Sequence, residues 1–187
     1  LSKKIGNWKG DFIFHLSSYY KIPEKLLKNT KKISINFHTA PPKYPGRGGY
    51  SWALINNDNF YGITVHKINK NIDNGEIIYV YKFKISKSEN LDSLINKTKY
   101  FQYLTFIKII KNYVLPKYVN HKKQKIRKLN YKWSKKKYTI SMLDKIQNIN
   151  IKLPLSKINK IEKIILSTTT KNHRPKIIIN KHKFTLE

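Results

Sequence analysis

The sequence predicts an α/β fold in its first 115 residues, with a smaller α+β accessory region over 116–187. Three observations predict it. Short apolar runs of strand length alternate with helical stretches up to Ile85, a long three-to-four-spaced apolar pattern follows from Leu91 to Val114, and a lysine-rich remainder closes on a hairpin pattern. At 187 residues the chain is long enough for one ordinary domain plus a small appendage.

The elements follow in order. Asp11–Ser17 (DFIFHLS) is an apolar run of strand length, and Pro23 stands where the first turn of a short helix tolerates proline. Lys32–His38 (KISINFH) alternates with period two, placing Ile33, Ile35 and Phe37 on one face and Ser34, Asn36 and His38 on the other. Three prolines and three glycines make Pro41–Gly49 a loop, after which Tyr50–Ile55 can form a short helix. Gly62–Ile68 and Glu76–Ile85 read as strands joined through Asp73-Asn74-Gly75, whose Asn-Gly pair signals a turn. The long amphipathic helix from Leu91 should cover one sheet face and stop before Pro116. Beyond it, Ser141 and Ser156 are expected to cap two short helices, and Ile177–Asn180 to pair with His182–Leu186.

Composition narrows the function classes. With no cysteine there is no thiolate nucleophile, no disulfide framework and no Cys-type metal site, and the default expectation is a cytoplasmic protein. The most apolar run, Leu104–Leu115, is broken by Lys108 and Lys111, which argues against a membrane span. The formal charge of +29 points to a polyanionic partner, but only Arg47, Arg127 and Arg174 supply the guanidinium fork that phosphate and base recognition favours. The charge is uneven: residues 1–100 hold 17 basic and seven acidic residues, against 22 and three in 101–187. A nucleic-acid surface, if there is one, belongs to the second half.

Asn36 and His38, two apart on one strand, project from the same face at its carboxyl end, where open α/β sheets place their sites. An amide donor beside an acid/base group suits acyl transfer. Asp73, in the loop between two strands that can neighbour the first, could orient His38 or raise its pKa, although an aspartate in such a turn more often bonds its own backbone.

The runs INFHTAPPKYPGRGGYSWAL (residues 35–54) and YGITVHKINKNIDNGEII (residues 61–78) resemble the catalytic core of the 10-formyltetrahydrofolate-dependent formyltransferases. That family pattern is Asn-x-His, a Pro- and Gly-containing loop, Gly-x-Thr-x-His, then Asp-x-Gly. All parts occur here in order, as Asn36-Phe-His38, Gly62-Ile-Thr-Val-His66 and Asp73-Asn-Gly75. The resemblance continues faintly through Trp133–Thr139 and the closing hairpin. It implies a Rossmann-like formyltransferase core, and it also implies a strand-helix-strand-helix section ahead of Asp11, so that the core reads as incomplete at its amino end.

The resemblance assigns Asn36, His38 and Asp73 to the reacting centre, with Asp73 orienting His38 and favouring its charged form. It places the pterin of a 10-formyltetrahydrofolate donor between Ser18, Tyr19, Tyr20, Ile22 and Pro23 on one side and Asn69 and Ile72 on the other. The loop Pro41–Gly49 is most like the branch acting on nucleotide-linked amino sugars, so Pro42, Tyr44, Gly46, Gly48 and Gly49 are expected to face the acceptor; Lys43 and Arg47 are read as solvated side chains first and as diphosphate contacts second. Thr64 and His66 are read as the floor of the site. No metal is expected, because a histidine pair without carboxylate or thiol partners is a poor ligand set. Relatives suggest a homodimer. A methionyl-tRNA formyltransferase and an inactive fragment or binding protein are the alternative functions.

Overall fold

The computed structural model describes residues 7–18, 20–114, 130–150, 158–170, 174–179 and 182–185. Its larger sheet has the order β1-β2-β3-β4, formed by Gly10–Leu16, Thr30–His38, Phe60–Lys67 and Ile77–Lys84. β1 and β2 run parallel, joined by the short helix α1 (Glu24–Lys28), whereas β3 and β4 are antiparallel to their neighbours. The period-two pattern of β2 is realised as expected. Ile35 and Phe37 are fully buried, while Asn36 and His38 on the other face are half-buried.

Helix α2 (Gly49–Ile55) leaves the Pro- and Gly-rich loop, and α3 (Leu91–Ile109) covers the Ile35/Phe37 face. Phe106 of α3 packs edge-on against both Phe14 and Phe37, at 5.8 and 5.5 Å between ring centroids, and Phe101 lies 4.8 Å from Phe83. A capping box starts α3: Asn90 Oδ1 accepts from Ser93 N, and Ser93 Oγ accepts from Asn90 N. The helix ends in a π-turn over Ile110–Val114. No described helix is long and apolar enough to cross a membrane.

The accessory region holds α4 (Ile140–Gln147), α5 (Ile158–Thr168) and a small sheet of order β5-β6-β7, formed by Asn148–Asn150, Lys176–Ile179 and His182–Thr185. The hairpin β6/β7 matches the expectation, with Ile179 opposite His182. Two details differ from it. Thr139, not Ser141, caps α4, because its extended backbone lets Oγ1 accept from Met142 N at 3.3 Å. β5 pairs parallel with β6, and a three-residue strand carries too little periodicity to be seen in sequence. Ser156 lies outside the described residues.

This region shares the main core. Tyr138 packs on Trp52 and Tyr44, with centroids 5.0 and 5.1 Å apart, and Leu143 is buried beside them. Residues 134–138 run along the Pro- and Gly-rich loop: Ser134 N donates to Pro42 O, Tyr138 N donates to Pro45 O, and Arg47 N donates to Tyr138 O, so that Tyr138 bridges Gly46. The two parts therefore meet where β2 ends.

Candidate active site

Strand pairing assembles the site. Asn36 lies opposite His66 on β3 and beside His15 on β1, and His38 lies opposite Thr64. A bulge between Val65 and His66 ends the regular pairing of β3 with β4, and the connection folds back over the sheet. Gly75 permits that return, since a Cβ there would sit 1.7 Å from Lys67 O. Asp73, at φ 45°, is held with its carboxylate inward.

Both oxygens of the buried Asp73 carboxylate are used. Oδ2 accepts the Gly46 N–H at 2.9 Å and lies 3.4 Å from His38 Nδ1, while Oδ1 lies 3.4 Å from both Asn36 Nδ2 and His66 Nε2. His66 donates from Nδ1 to Lys67 O at 2.8 Å, which leaves Nε2 to accept from Asn36 Nδ2 at 3.0 Å. His38 donates from Nε2 to Tyr44 O at 2.9 Å. Trp133 closes the site edge-on to both imidazoles, 5.7 and 5.0 Å away, and its indole N–H pins the loop through Gly75 O at 2.7 Å.

Electrostatics follow from this packing. Burial alone would raise the Asp73 pKa, but His66 against one oxygen, the nearby His38 and the Gly46 N–H together hold it below the ordinary carboxylate value. Burial pulls the His38 pKa below its ordinary 6.5, and Asp73 and the Tyr44 carbonyl only partly oppose that. Asp73 favours the charged form of His38, as expected, but at 3.4 Å it does not offset the larger effect of desolvation. His38 is neutral at neutral pH, with the Nδ1 lone pair turned towards Asp73.

Asn36, His38 and Asp73 converge on the wall of a cavity of about 860 Å³. Ser18, Tyr20, Ile22, Asn69 and Ile72 line it on one side, and Gly46, Arg47, Gly48 and Gly49 on another. Tyr19 lies outside the described residues. Pro23 lines a smaller neighbouring cavity of about 250 Å³ and occupies the N-cap of α1.

Pro42 and Tyr44 are the residues the structure does not bring there. Tyr44 is fully buried, its hydroxyl donates to Asp58 at 2.7 Å, and burial foremost pushes its pKa up to about 12. Pro42 is buried and its carbonyl is taken by Ser134. An aromatic ring in a loop gains more by filling the core beside Trp52 and Tyr138 than by facing water, whereas Gly46 and Gly48, both at positive φ, turn backbone towards the cavity. Lys43 pairs with Asp58 instead of facing a diphosphate site.

Sequence reasoning left His15 without a role and made His66 mere floor. The structure adds both to the network around Asn36, together with Trp133. The register of β1 on β2 is the only signal that could have found His15.

The family model described as formyl transferase matches residues 1–110. The chain belongs to the formyl transferase family. Methionyl-tRNA formyltransferase of Buchnera aphidicola subsp. Baizongia pistaciae is 36% identical over 111 residues, covering 59% of this chain and 34% of that protein. The chain spans between 15% and 34% of the length of the first curated relatives it matches. Among solved structures, a 4-N formyltransferase from Francisella tularensis superposes with a TM-score of 0.76 at 21% identity, over 97% of this chain and 71% of that one, a likeness of fold. The N-formyltransferase from Helicobacter canadensis, solved with folinic acid and dTDP-3-aminofucose, gives 0.66 at 25% identity over 96% and 62%. The Rossmann-like formyltransferase fold expected from the sequence is thus the fold of this formyl transferase family member, with an α/β sheet that contains a parallel pair.

Proposed function

We propose that the chain transfers a formyl group from 10-formyltetrahydrofolate to the amino group of a nucleotide-linked amino sugar. The observation that carries the reading is the convergence of Asn36, His38 and Asp73 on one cavity wall, an amide donor and a neutral base each beside one carboxylate. The donor fits between the Ser18–Ile22 and Asn69–Ile72 walls, where Tyr20 and Ile72 offer exposed apolar surface and the backbone offers polar groups. It supplies the formyl carbon.

The residues divide the remaining work. Asn36 Nδ2 carries two hydrogens, directed at His66 and, at a longer 3.4 Å, at Asp73, and it offers the more weakly held one to the oxygen that gains charge as the amine attacks. His38 Nδ1 takes the proton lost by the attacking nitrogen, and Asp73 Oδ2 at 3.4 Å stabilises the imidazolium so formed. His38 then returns that proton to the leaving nitrogen as the old carbon–nitrogen bond breaks.

The glycines at 46, 48 and 49 and the exposed Arg47 form the wall nearest this chemistry and suit an acceptor carrying phosphate. The Helicobacter relative held with folinic acid and dTDP-3-aminofucose supports that pairing of ligands. The excess of 22 basic over three acidic residues in 101–187, with the 36% identity to a methionyl-tRNA formyltransferase, favours initiator tRNA as a second reading. Calorimetric titration with folinic acid, a dTDP-linked amino sugar and initiator tRNA separates them. Folinic acid and the sugar nucleotide should bind. Absence of folinic acid binding overturns the reading, and tRNA binding that falls steeply with salt while the sugar nucleotide is ignored transfers it to the second.

A further inference from the structure

His15 takes no part in the chemistry above, yet it touches the residue at its centre. Because β1 and β2 run parallel with His15 and Asn36 as register partners, the imidazole and the carboxamide leave the sheet side by side. His15 Nδ1 lies 2.8 Å from Asn36 Oδ1, and its Nε2 lies 2.9 Å from Tyr20 O in the loop lining the cavity.

The orientation of the Asn36 amide is decided on its other side. Nδ2 faces His66 Nε2 at 3.0 Å and the Asp73 carboxylate at 3.4 Å. The reverse setting would turn Oδ1 against the Asp73 carboxylate, acceptor against acceptor. Oδ1 therefore points at His15, and His15 must donate to it. Tyr20 O lies against the other ring nitrogen.

We propose that His15 is a positioning residue: by donating to Asn36 Oδ1 it sets which edge of the carboxamide faces the reacting carbon, and by its contact with Tyr20 O it ties that setting to the donor-binding loop. An oxyanion donor misplaced by a fraction of an ångström loses most of its effect, so the clamp acts on the transition state more than on ground-state binding. The kinetic consequence rests on the formyl-transfer reading. The clamp itself is a statement about hydrogen bonds in the ligand-free protein.

The test uses two variants. His15→Leu keeps bulk but removes the donor, and His15→Asn places an amide N–H where Nδ1 stood. In ¹⁵N-labelled protein the Asn36 side-chain amide signals should shift in His15→Leu, with exchange against water roughly tenfold faster, and return towards the native positions in His15→Asn. In turnover assays His15→Leu should lower kcat about tenfold or more while KM for the donor stays within about threefold, and His15→Asn should recover most of the loss. Should His15→Leu not fold, His15→Ala replaces it. Unmoved Asn36 signals in the donor-less variant, or equal kinetic loss in both variants, overturn the proposal. If the native protein transfers no formyl group at all, the reaction reading fails, and the amide signals still decide the role of His15.

Discussion

Replacing Asp73 by Asn changes one atom and removes one charge, and the surroundings leave the new amide without a good setting. With its NH₂ in the place of Oδ2, it confronts the Gly46 N–H at 2.9 Å, donor against donor. With the NH₂ in the place of Oδ1, it keeps the Gly46 bond but competes with Asn36 Nδ2 for the one lone pair of His66 Nε2. Either way one buried donor is left without an acceptor, which costs about 1–3 kcal/mol. Charge adds a second effect. Asp73 is the strongest influence raising the His38 pKa against burial, so its loss lowers that pKa further and leaves the transferred proton without a partner. Turnover should fall by about a hundredfold or more. Urea unfolding followed by tryptophan fluorescence measures the first effect, with the m-value unchanged, and single-turnover formyl transfer measures the second. Because the Asp73 pKa is depressed, its contribution is complete above the ordinary carboxylate range and is lost as pH falls through the folded value, so the stability gap should narrow in acid. A variant within about 0.5 kcal/mol of the native protein and near-native in turnover would refute both the network and the role given to Asp73.

Two further changes probe the same site. Turnover should fall as pH drops through the folded pKa of His38, so its acid limb should be centred below 6.5, and over that interval the fold also loses stability because the unfolded chain binds the proton more readily; a limb centred above 6.5 would show that burial does not control this histidine. Gly75→Ala puts a Cβ 1.7 Å from Lys67 O and must push apart two backbone segments, which should cost about 1–3 kcal/mol and loosen the Trp133 contact, read as a lower melting temperature and a shifted tryptophan emission; an unchanged melting curve would sink the account of the loop.

The local features of this protein are set by its sequence alone, because their causes act over a few residues. Period two in Lys32–His38 puts Ile35 and Phe37 on the core face and Asn36 and His38 on the other, whatever the strand later pairs with. Asn90 with Ser93 starts α3 where the spacing says it should start, and the turn signalled by Asn74-Gly75 forms just ahead of that pair, at Ile72 and Asp73. Together with the family resemblance of the Asn-x-His and Asp-x-Gly motifs, these make Asn36, His38 and Asp73 the candidates for one reacting centre.

What the tertiary structure decided is everything that depends on which distant segment arrives beside these residues. His15 meets Asn36 only because β1 aligns with β2 in one register, and Tyr44 is core and not cavity only because Tyr138 comes back from the accessory region to cover it. The charge on His38 is the clearest case: sequence offers an aspartate to keep it protonated, but ionisation is a balance between ion pairing and desolvation. The desolvation is set by the neighbours that close over the ring, Tyr44 and Trp133 among them, and no spacing of residues along the chain encodes that enclosure.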